Sequence, residues 1–90
     1  MAIEHLACKL GSRLKEKGYK LVTVESCTGG GIAFAITDIE GCSDWFERGF
    51  VTYSNESKQE LLGVEAKLLT IYGAVSEAVA LAMAQGALRH

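Results

Sequence analysis

The chain has 90 residues, of which 49% are hydrophobic and 22% are charged, and its formal net charge is −2. This composition is typical of one small globular domain and argues against a disordered segment or a basic nucleic-acid-binding surface. No apolar run approaches the roughly 20 residues that a membrane-spanning helix needs, and no secretory signal is visible at the N-terminus. The three cysteines form no C-x-x-C pair, so we expect a cytoplasmic protein without a disulfide framework or a metal site.

The N-terminal segment has the spacing of an amphipathic helix, because apolar residues recur every three or four positions. Gly18 is expected to end this helix, after two lysines that place positive charge near its negative end. The apolar positions are Ile3, Leu6, Ala7, Leu10 and Leu14.

The next stretch predicts a strand, a glycine turn and a helix. Residues 21–24 are apolar and partly β-branched, as in a strand that is buried on both faces. Glycines follow at positions 29–31, and a helix is predicted over about residues 28–39 with Ile32, Ile36 and Ile39 on its inner face. Such a turn directs backbone N–H groups and the positive end of the helix dipole towards one point, where an anion or an oxyanion is stabilised.

The second half of the chain continues this pattern. Residues 46–53 predict a second strand, so that strand, helix and strand form a βαβ unit with parallel strands and a right-handed crossover. The capping-box spacing of residues 57–60 predicts a short helix that ends at Gly63. Residues 65–71 predict another helical turn or two, and Ser76 is the predicted N-cap of a last helix that is apolar nearly all round.

Two parallel strands alone leave two open edges and do not make an independently stable sheet. Parallel sheets are covered by helices on both faces, and the last helix expects burial on more than one side. We therefore predict that residues 1–90 belong to a single α/β domain of which they supply the N-terminal half, the rest following residue 90 or coming from another subunit.

Four blocks that span nearly the whole chain point to a family. They are residues 25–30 (ESCTGG), residues 49–55 (GFVTYSN) with Lys58, residues 62–64 (LGV) and residues 73–76 (GAVS). In this order they resemble the CinA C-terminal domain family, the nicotinamide-mononucleotide amidases. The resemblance implies a three-layer α/β/α sandwich about twice this length. It also implies hydrolysis of the carboxamide of nicotinamide mononucleotide to nicotinate mononucleotide and ammonia.

With this resemblance, Ser26 is the candidate nucleophile. Amide hydrolysis needs an activated nucleophile, a proton shuttle and an oxyanion site. Ser26 follows the first predicted strand, at the edge where α/β sheets bind ligands, and the N–H groups of residues 28–30 are the predicted oxyanion donors. From the spacing alone, Ser26 or Thr28 is simply a helix N-cap. Cys27 is the second candidate nucleophile, because a helix N-terminus favours a thiolate.

Lys58 is the candidate base. Neither histidine lies near the motifs, since His5 is in the first helix and His90 is terminal. A serine hydrolase without a usable histidine can employ Ser–Lys chemistry when the amine is partly desolvated. Ser26 and Lys58 each follow a parallel strand, so both are expected at one edge of the sheet. Without the resemblance, Lys58 is better interpreted as a solvated lysine in the first turn of a helix.

The remaining candidates have a structural interpretation beside the functional one. Tyr53 either relays a proton, and so counts as catalytic, or covers the core with its ring. Glu25 has three interpretations: it binds Lys58, it accepts a hydrogen bond from a backbone donor, or it is a carboxylate at a strand end without a specific role. Ser54 and Asn55 are natural turn residues. The predicted substrate-binding set is Glu25, Thr28, Gly29, Gly30, Ser54 and Asn55.

The expected partner is a small-molecule nucleotide, with no cofactor, no metal, no direct contact with nucleic acid or a membrane, and a homo-oligomeric assembly. Two other functions stay open. One is a non-catalytic nucleotide-binding or interaction module of the CinA type, in which the glycine turn binds a phosphate. The other is a purely structural unit that pairs with a partner subunit through an open strand edge.

Overall fold

Two parallel strands form the centre of the fold, and helices cover both of their faces. The structure, a computed structural model, describes residues 2–90. None of the helices in that range has the length and apolar character required to cross a membrane. In chain order the elements are α1 (Ala2–Lys17), β1 (Leu21–Glu25), α2 (Gly31–Thr37), a short 3-10 helix (Cys42–Asp44), β2 (Phe46–Val51), α3 (Asn55–Leu62), α4 (Ala66–Tyr72) and α5 (Glu77–Leu88).

The two strands pair in parallel, as predicted, and α2 lies in the crossover between them. Their register places Val24 opposite Phe50 and Glu25 opposite Val51. Beyond the last pair of the ladder, the N–H of Thr52 still donates to the carbonyl oxygen of Glu25, at 2.9 Å. The carboxyl ends of both strands therefore lie side by side at one edge of the sheet.

Alternate residues of β1 face opposite layers, because successive side chains of a strand point to opposite faces of the sheet. Val22 and Val24 pack against the hydrophobic core formed with α5. Thr23 and Glu25 are buried on the other face, where the Glu25 side chain reaches the start of α2. The strand is thus buried on both sides, which explains why its sequence does not alternate between apolar and polar.

The hydrophobic core lies between the sheet and the helices that follow β2. Its buried members come from the end of α3, the next loop and α5, and Phe50 of β2 packs against them. Gly86 allows a close approach here, because a Cβ at this position would overlap the carbonyl oxygen of Leu62. The buried core residues are Leu62, Val64, Val79, Met83 and Ala87.

The layer on the other face consists of α1 and α2. Trp45, which is buried, lies against Gly11 of α1, where a Cβ would come within 2.6 Å of the indole ring atom Cε2. Ile36 is the buried residue of α2, and Ile39 is partly buried. The prediction that Ile32 belongs to the inner face is wrong, because 49% of Ile32 is exposed in a groove between α1 and α2.

The structure corrects the predicted bounds of the first βαβ unit. The second helix begins at Gly31 instead of position 28, because Gly29 and Gly30 have positive φ angles of 63° and 109° that no α-helix contains. It ends at Thr37 instead of position 39. Strand β2 ends at Val51 instead of position 53, since the next two carbonyl groups turn towards a side chain of α3 instead of a third strand.

Two helices after β2 also differ from prediction. The N-cap of α3 is Ser54, whose hydroxyl accepts from the N–H of Ser57, so the helix starts before the predicted capping box. Gly63 ends α3 as predicted, with φ of 67°. Within residues 2–90, α5 is buried on one side only, and Leu81 and Leu88 are 60% and 78% exposed. The predicted α/β class with helical layers on both faces of a parallel sheet is confirmed.

Candidate functional site

Ser26 and Lys58 meet at the carboxyl edge of the sheet. The Nζ atom of Lys58 lies 3.0 Å from the Oγ atom of Ser26, within hydrogen-bond distance. Ser26 is the first residue after β1, and Lys58 lies in the first turn of α3, which follows β2. The proximity predicted from the parallel strands is therefore present.

The amine of Lys58 is buried among main-chain acceptors. Lys58 is only 1% exposed, so the prediction of a solvated surface lysine does not hold. Besides Ser26, its Nζ atom donates to the carbonyl oxygens of Thr52 and Tyr53, each at 3.0 Å. None of the ion pairs within residues 2–90 includes Lys58. The lysine is thus held by neutral groups instead of a carboxylate.

The hydrogen bonds of this pair run from the lysine to the serine and on to the main chain. The Lys58 Nζ atom donates to Ser26 Oγ and to two carbonyl oxygens, which matches three N–H donors to three acceptors. The hydroxyl of Ser26 in turn donates to the carbonyl oxygen of Tyr53 at 3.3 Å. Because the lysine nitrogen and the serine oxygen lie within hydrogen-bond distance, a proton can pass directly between them.

The Glu25 carboxylate faces away from Lys58. One oxygen accepts from the Thr28 hydroxyl and from the N–H of Ile32 at 2.7 Å, and the other accepts from the N–H of Ala33 at 2.9 Å. Burial acts to raise the pKa of Glu25, but these hydrogen bonds outweigh it and lower the pKa below its ordinary value. Of the three interpretations of Glu25, the structure favours acceptance from backbone donors.

The N–H groups of the glycine turn are partly used by the chain itself. Gly29 donates to the carbonyl oxygen of Ser26 at 3.0 Å, and Gly31 donates to that of Thr28 at 3.2 Å. Among residues 2–90, the N–H groups of Thr28 and Gly30 have no such acceptor. The expectation that three successive N–H groups converge on a ligand is thus reduced to two candidate donors. The helix dipole is directed at Glu25 instead of an open site.

The other candidates lie around this edge with different surroundings. Tyr53 contributes its carbonyl oxygen to Lys58, whereas the residue as a whole is 69% exposed. The Ser54 hydroxyl caps α3, and Asn55 is the exposed first residue of that helix. The thiol of Cys27 is free, and Cys27 is exposed beside Ser26. No hydrogen bond of the described residues links these four side chains to Lys58.

An open cleft of about 490 Å³ adjoins Ser26 and Cys27. The cleft is also lined by residues 74–76 of the GAVS block and by Glu77, Ala80 and Met83 of α5. Most of this lining is apolar, and Glu77 is its charged side chain. An apolar cleft with a few polar groups at one side has the general form of a small-molecule site.

Sequence reasoning did not identify Thr52 as part of the site. Its carbonyl oxygen accepts from Lys58, and its N–H donates to the carbonyl oxygen of Glu25. Main-chain groups carry no side-chain signature, so residue type alone cannot reveal this role. The only available signal was its position, directly after the predicted apolar part of the second strand.

Fold and site define a class: a parallel α/β domain with a serine–lysine pair at the carboxyl edge of its sheet. Comparison with known proteins gives the family, since the model of the CinA C-terminal domain matches residues 3–90. The chain is 57% identical over 86 residues to a nicotinamide-nucleotide amidohydrolase PncC of Enterobacter agglomerans, covering 96% of this chain and 52% of that protein. A CinA-like protein of Syntrophobacter fumaroxidans is 54% identical over 80 residues, 89% of this chain and 19% of that protein.

Solved structures agree with this result. The crystal structure of the competence/damage inducible protein CihA from Agrobacterium tumefaciens has a TM-score of 0.92 and 49% identity, covering 97% of this chain and 53% of that one. The chain belongs to the CinA C-terminal domain family. It spans about half the length of the amidohydrolase relative and of the solved structure.

Proposed function

We propose that the chain carries the nucleophile and the base of a nicotinamide-nucleotide amidohydrolase, with Ser26 and Lys58 in these roles. The observation that supports this proposal most strongly is the distance of 3.0 Å between the Lys58 Nζ and Ser26 Oγ atoms. A relative with 57% identity bears the name of that activity.

In the proposed reaction, Ser26 Oγ attacks the carboxamide carbon while Lys58 Nζ takes the hydroxyl proton. The tetrahedral intermediate collapses when Lys58 returns this proton to the leaving nitrogen, which departs as ammonia. An ester between Ser26 and the nicotinoyl group remains. Water, deprotonated by Lys58, hydrolyses this ester to the nicotinate nucleotide and restores the serine. The N–H groups of Thr28 and Gly30 are the proposed donors to the oxyanion.

The substrate contacts of the other residues are also proposals. Tyr53, Ser54 and Asn55 directly follow β2, beside the main-chain groups that hold Lys58, and we assign Tyr53 the relay of a proton and all three residues contacts to the carboxamide or the ribose. Because the amidohydrolase relative is about twice as long, we assign the contacts to the substrate phosphate to residues outside these 90. The occupied N–H groups of Gly29, Ile32 and Ala33 argue against a phosphate at the glycine turn, and so against the alternative of a non-catalytic phosphate-binding module.

The test compares two neighbouring substitutions. Ser26→Ala should abolish ammonia release from nicotinamide mononucleotide, and circular dichroism should show an unchanged fold. Cys27→Ala is the matched control, because it removes the adjacent candidate nucleophile and should retain turnover. Loss of turnover in Cys27→Ala with retention in Ser26→Ala would make the cysteine the nucleophile.

A further inference from the structure

Glu25 is a buried carboxylate that the proposed reaction does not use. It directly precedes Ser26, is only 3% exposed, and has both oxygens occupied by donors of the chain. We propose that Glu25 is a positioning residue that fixes the turn of residues 26–30 and so holds the Ser26 hydroxyl against Lys58. This inference rests on the proposed function, because the positioned group is the proposed nucleophile.

The first argument is the lack of any other cap on α2. The first N–H groups of a helix have no partner within the helix. The N-cap residue here is Gly30, which makes no side-chain hydrogen bond. The Glu25 carboxylate accepts the N–H groups of Ile32 and Ala33 instead. A side chain from the preceding strand thus completes the helix start, with a negative charge at the positive end of the dipole.

The second argument is that the Glu25 side chain joins the end of β1 both to the turn itself and to the start of α2. Glu25 belongs to the end of β1, and its carboxylate holds Thr28 within the turn and the first residues of α2 beyond it. The intervening residues include two glycines with positive φ, which have the widest conformational freedom of any residue type. The hydrogen bonds of the Glu25 carboxylate restrict the backbone of this turn, and so they hold Ser26 in one orientation.

The third argument concerns the other member of the pair. The main-chain carbonyl of Glu25 accepts the N–H of Thr52, and the carbonyl of Thr52 accepts the amine of Lys58. The side chain of Glu25 therefore contacts the turn that carries Ser26. Its main-chain carbonyl contacts Thr52, which in turn accepts from Lys58. Substituting the side chain leaves the second connection intact, so its effect reports on the turn.

The Glu25→Gln variant tests this role. A glutamine keeps the size of the side chain, but its amide nitrogen is a donor and cannot accept the N–H of Ala33, which now donates to the second oxygen. Glu60→Gln makes the same chemical change on the exposed face of α3 and is the matched control. Trp45→Phe, at the opposite end of β1, lowers stability without contacting the turn and controls for destabilisation alone.

The readout is the rate at which a fluorophosphonate probe labels Ser26, followed by mass spectrometry of the peptide. Ser26 Oγ bonds to phosphorus as Lys58 Nζ takes the hydroxyl proton and the P–F bond breaks to release fluoride, so the rate reports the reactivity of the hydroxyl without any nucleotide. Hydrogen bonds to charged groups contribute enough that we expect labelling to slow at least about tenfold in Glu25→Gln. For the nucleotide substrate, kcat should fall while KM changes less than about twofold. Both control variants should label at the rate of the unmodified chain.

Equal labelling rates in Glu25→Gln and the unmodified chain would overturn the positioning role while leaving the proposed function intact. If Glu25→Gln does not fold, the Thr28→Val variant tests the positioning role instead, since it removes only the hydroxyl that donates to the Glu25 carboxylate. That variant should slow labelling by about threefold or more, and an unchanged rate would again overturn the inference. An unmodified chain that is not labelled at Ser26 would instead contradict the proposed function, before any Glu25 variant is considered.

Discussion

The Lys58 amine lies 3.0 Å from the Ser26 hydroxyl, although the two residues are 32 positions apart in the chain. They meet because β1 and β2 are parallel, which brings the residues that follow each strand to the same edge of the sheet. The two other partners of the amine are main-chain carbonyl groups of the β2–α3 connection. The position of the lysine amine is thus set largely by the backbone path, because these two partners are main-chain groups.

Replacement of Lys58 should remove activity and lower stability together. Lys58→Met should reduce kcat by at least about 100-fold, as expected for loss of a general base. It also leaves buried carbonyl acceptors without a donor, which should lower the free energy of unfolding by about 1–3 kcal/mol. Lys58→Arg should be equally inactive, because a guanidinium stays protonated. Ammonia release and urea unfolding provide the two measurements.

Lys67→Met is the matched control for these variants, since Lys67 is an exposed lysine of α4. It should change neither turnover nor stability measurably. Retained turnover in Lys58→Met would exclude this lysine as the base.

Acid should destabilise the protein partly through Glu25. The pKa of Glu25 in the folded protein lies below its ordinary value of 4.5. The carboxylate therefore contributes fully to stability above that ordinary value, and the contribution is lost as the pH falls through the lower, folded-state pKa. Urea unfolding between about pH 7 and pH 3 should show a smaller acid-side decline in Glu25→Gln than in the unmodified chain. Glu60→Gln should keep the decline, and an identical slope in Glu25→Gln would show that its carboxylate is not stabilised by folding.

Gly86→Ala separates helix propensity from packing. In an unobstructed helix this change should raise the free energy of unfolding by about 1 kcal/mol. Here the added Cβ would overlap the carbonyl oxygen of Leu62, so we expect instead a loss of about 1–3 kcal/mol. Ala84→Gly, at an exposed position of the same helix, should lose about 1 kcal/mol through propensity alone. A stabilised Gly86→Ala protein would contradict the close contact between α5 and the end of α3.

Thr52→Val tests whether the role of Thr52 is confined to its main chain. Its side chain is fully buried, and its hydroxyl has no hydrogen-bond partner within residues 2–90. Valine has nearly the same shape, so the substitution should be neutral or should stabilise by up to about 1 kcal/mol, because an unpaired buried polar group is removed. Turnover should persist, since the carbonyl that holds Lys58 is unchanged.

Ser76→Ala provides the contrast, because its hydroxyl accepts the N–H of Val79 at the start of α5. Loss of this N-cap should cost about 1 kcal/mol. Thermal or urea unfolding compares both variants, and a strongly destabilised Thr52→Val protein would indicate that its hydroxyl has a partner.

The sequence predicted the features that depend on periodicity and strand order. The βαβ unit followed from two apolar stretches separated by a glycine turn, and the meeting of Ser26 with Lys58 followed from the parallel strands. The helix caps at Gly63 and Ser76 were also identified, because their residue types are specific to those positions.

Other features depend on where a side chain reaches, and the sequence does not specify that. The Glu25 carboxylate spans seven and eight residues to the N–H groups of α2, and no spacing rule covers this contact. The glycine turn was predicted, but the helix was predicted to begin within it, about three residues too early, because the sequence does not specify which glycines adopt positive φ angles. The two carbonyl partners of Lys58 were missed as well, since every residue possesses a main-chain carbonyl group.

The most direct test of the Ser26–Lys58 account is a search for the acyl intermediate. Nicotinamide mononucleotide is mixed with the protein, the reaction is quenched in acid within one turnover, and the peptide that contains residues 26 and 27 is analysed by tandem mass spectrometry. The account predicts an ester of the nicotinoyl nucleotide on Ser26, formed with the release of one ammonia and absent in Lys58→Met. Ammonia release without this ester, or an acyl group on Cys27 instead, would contradict it.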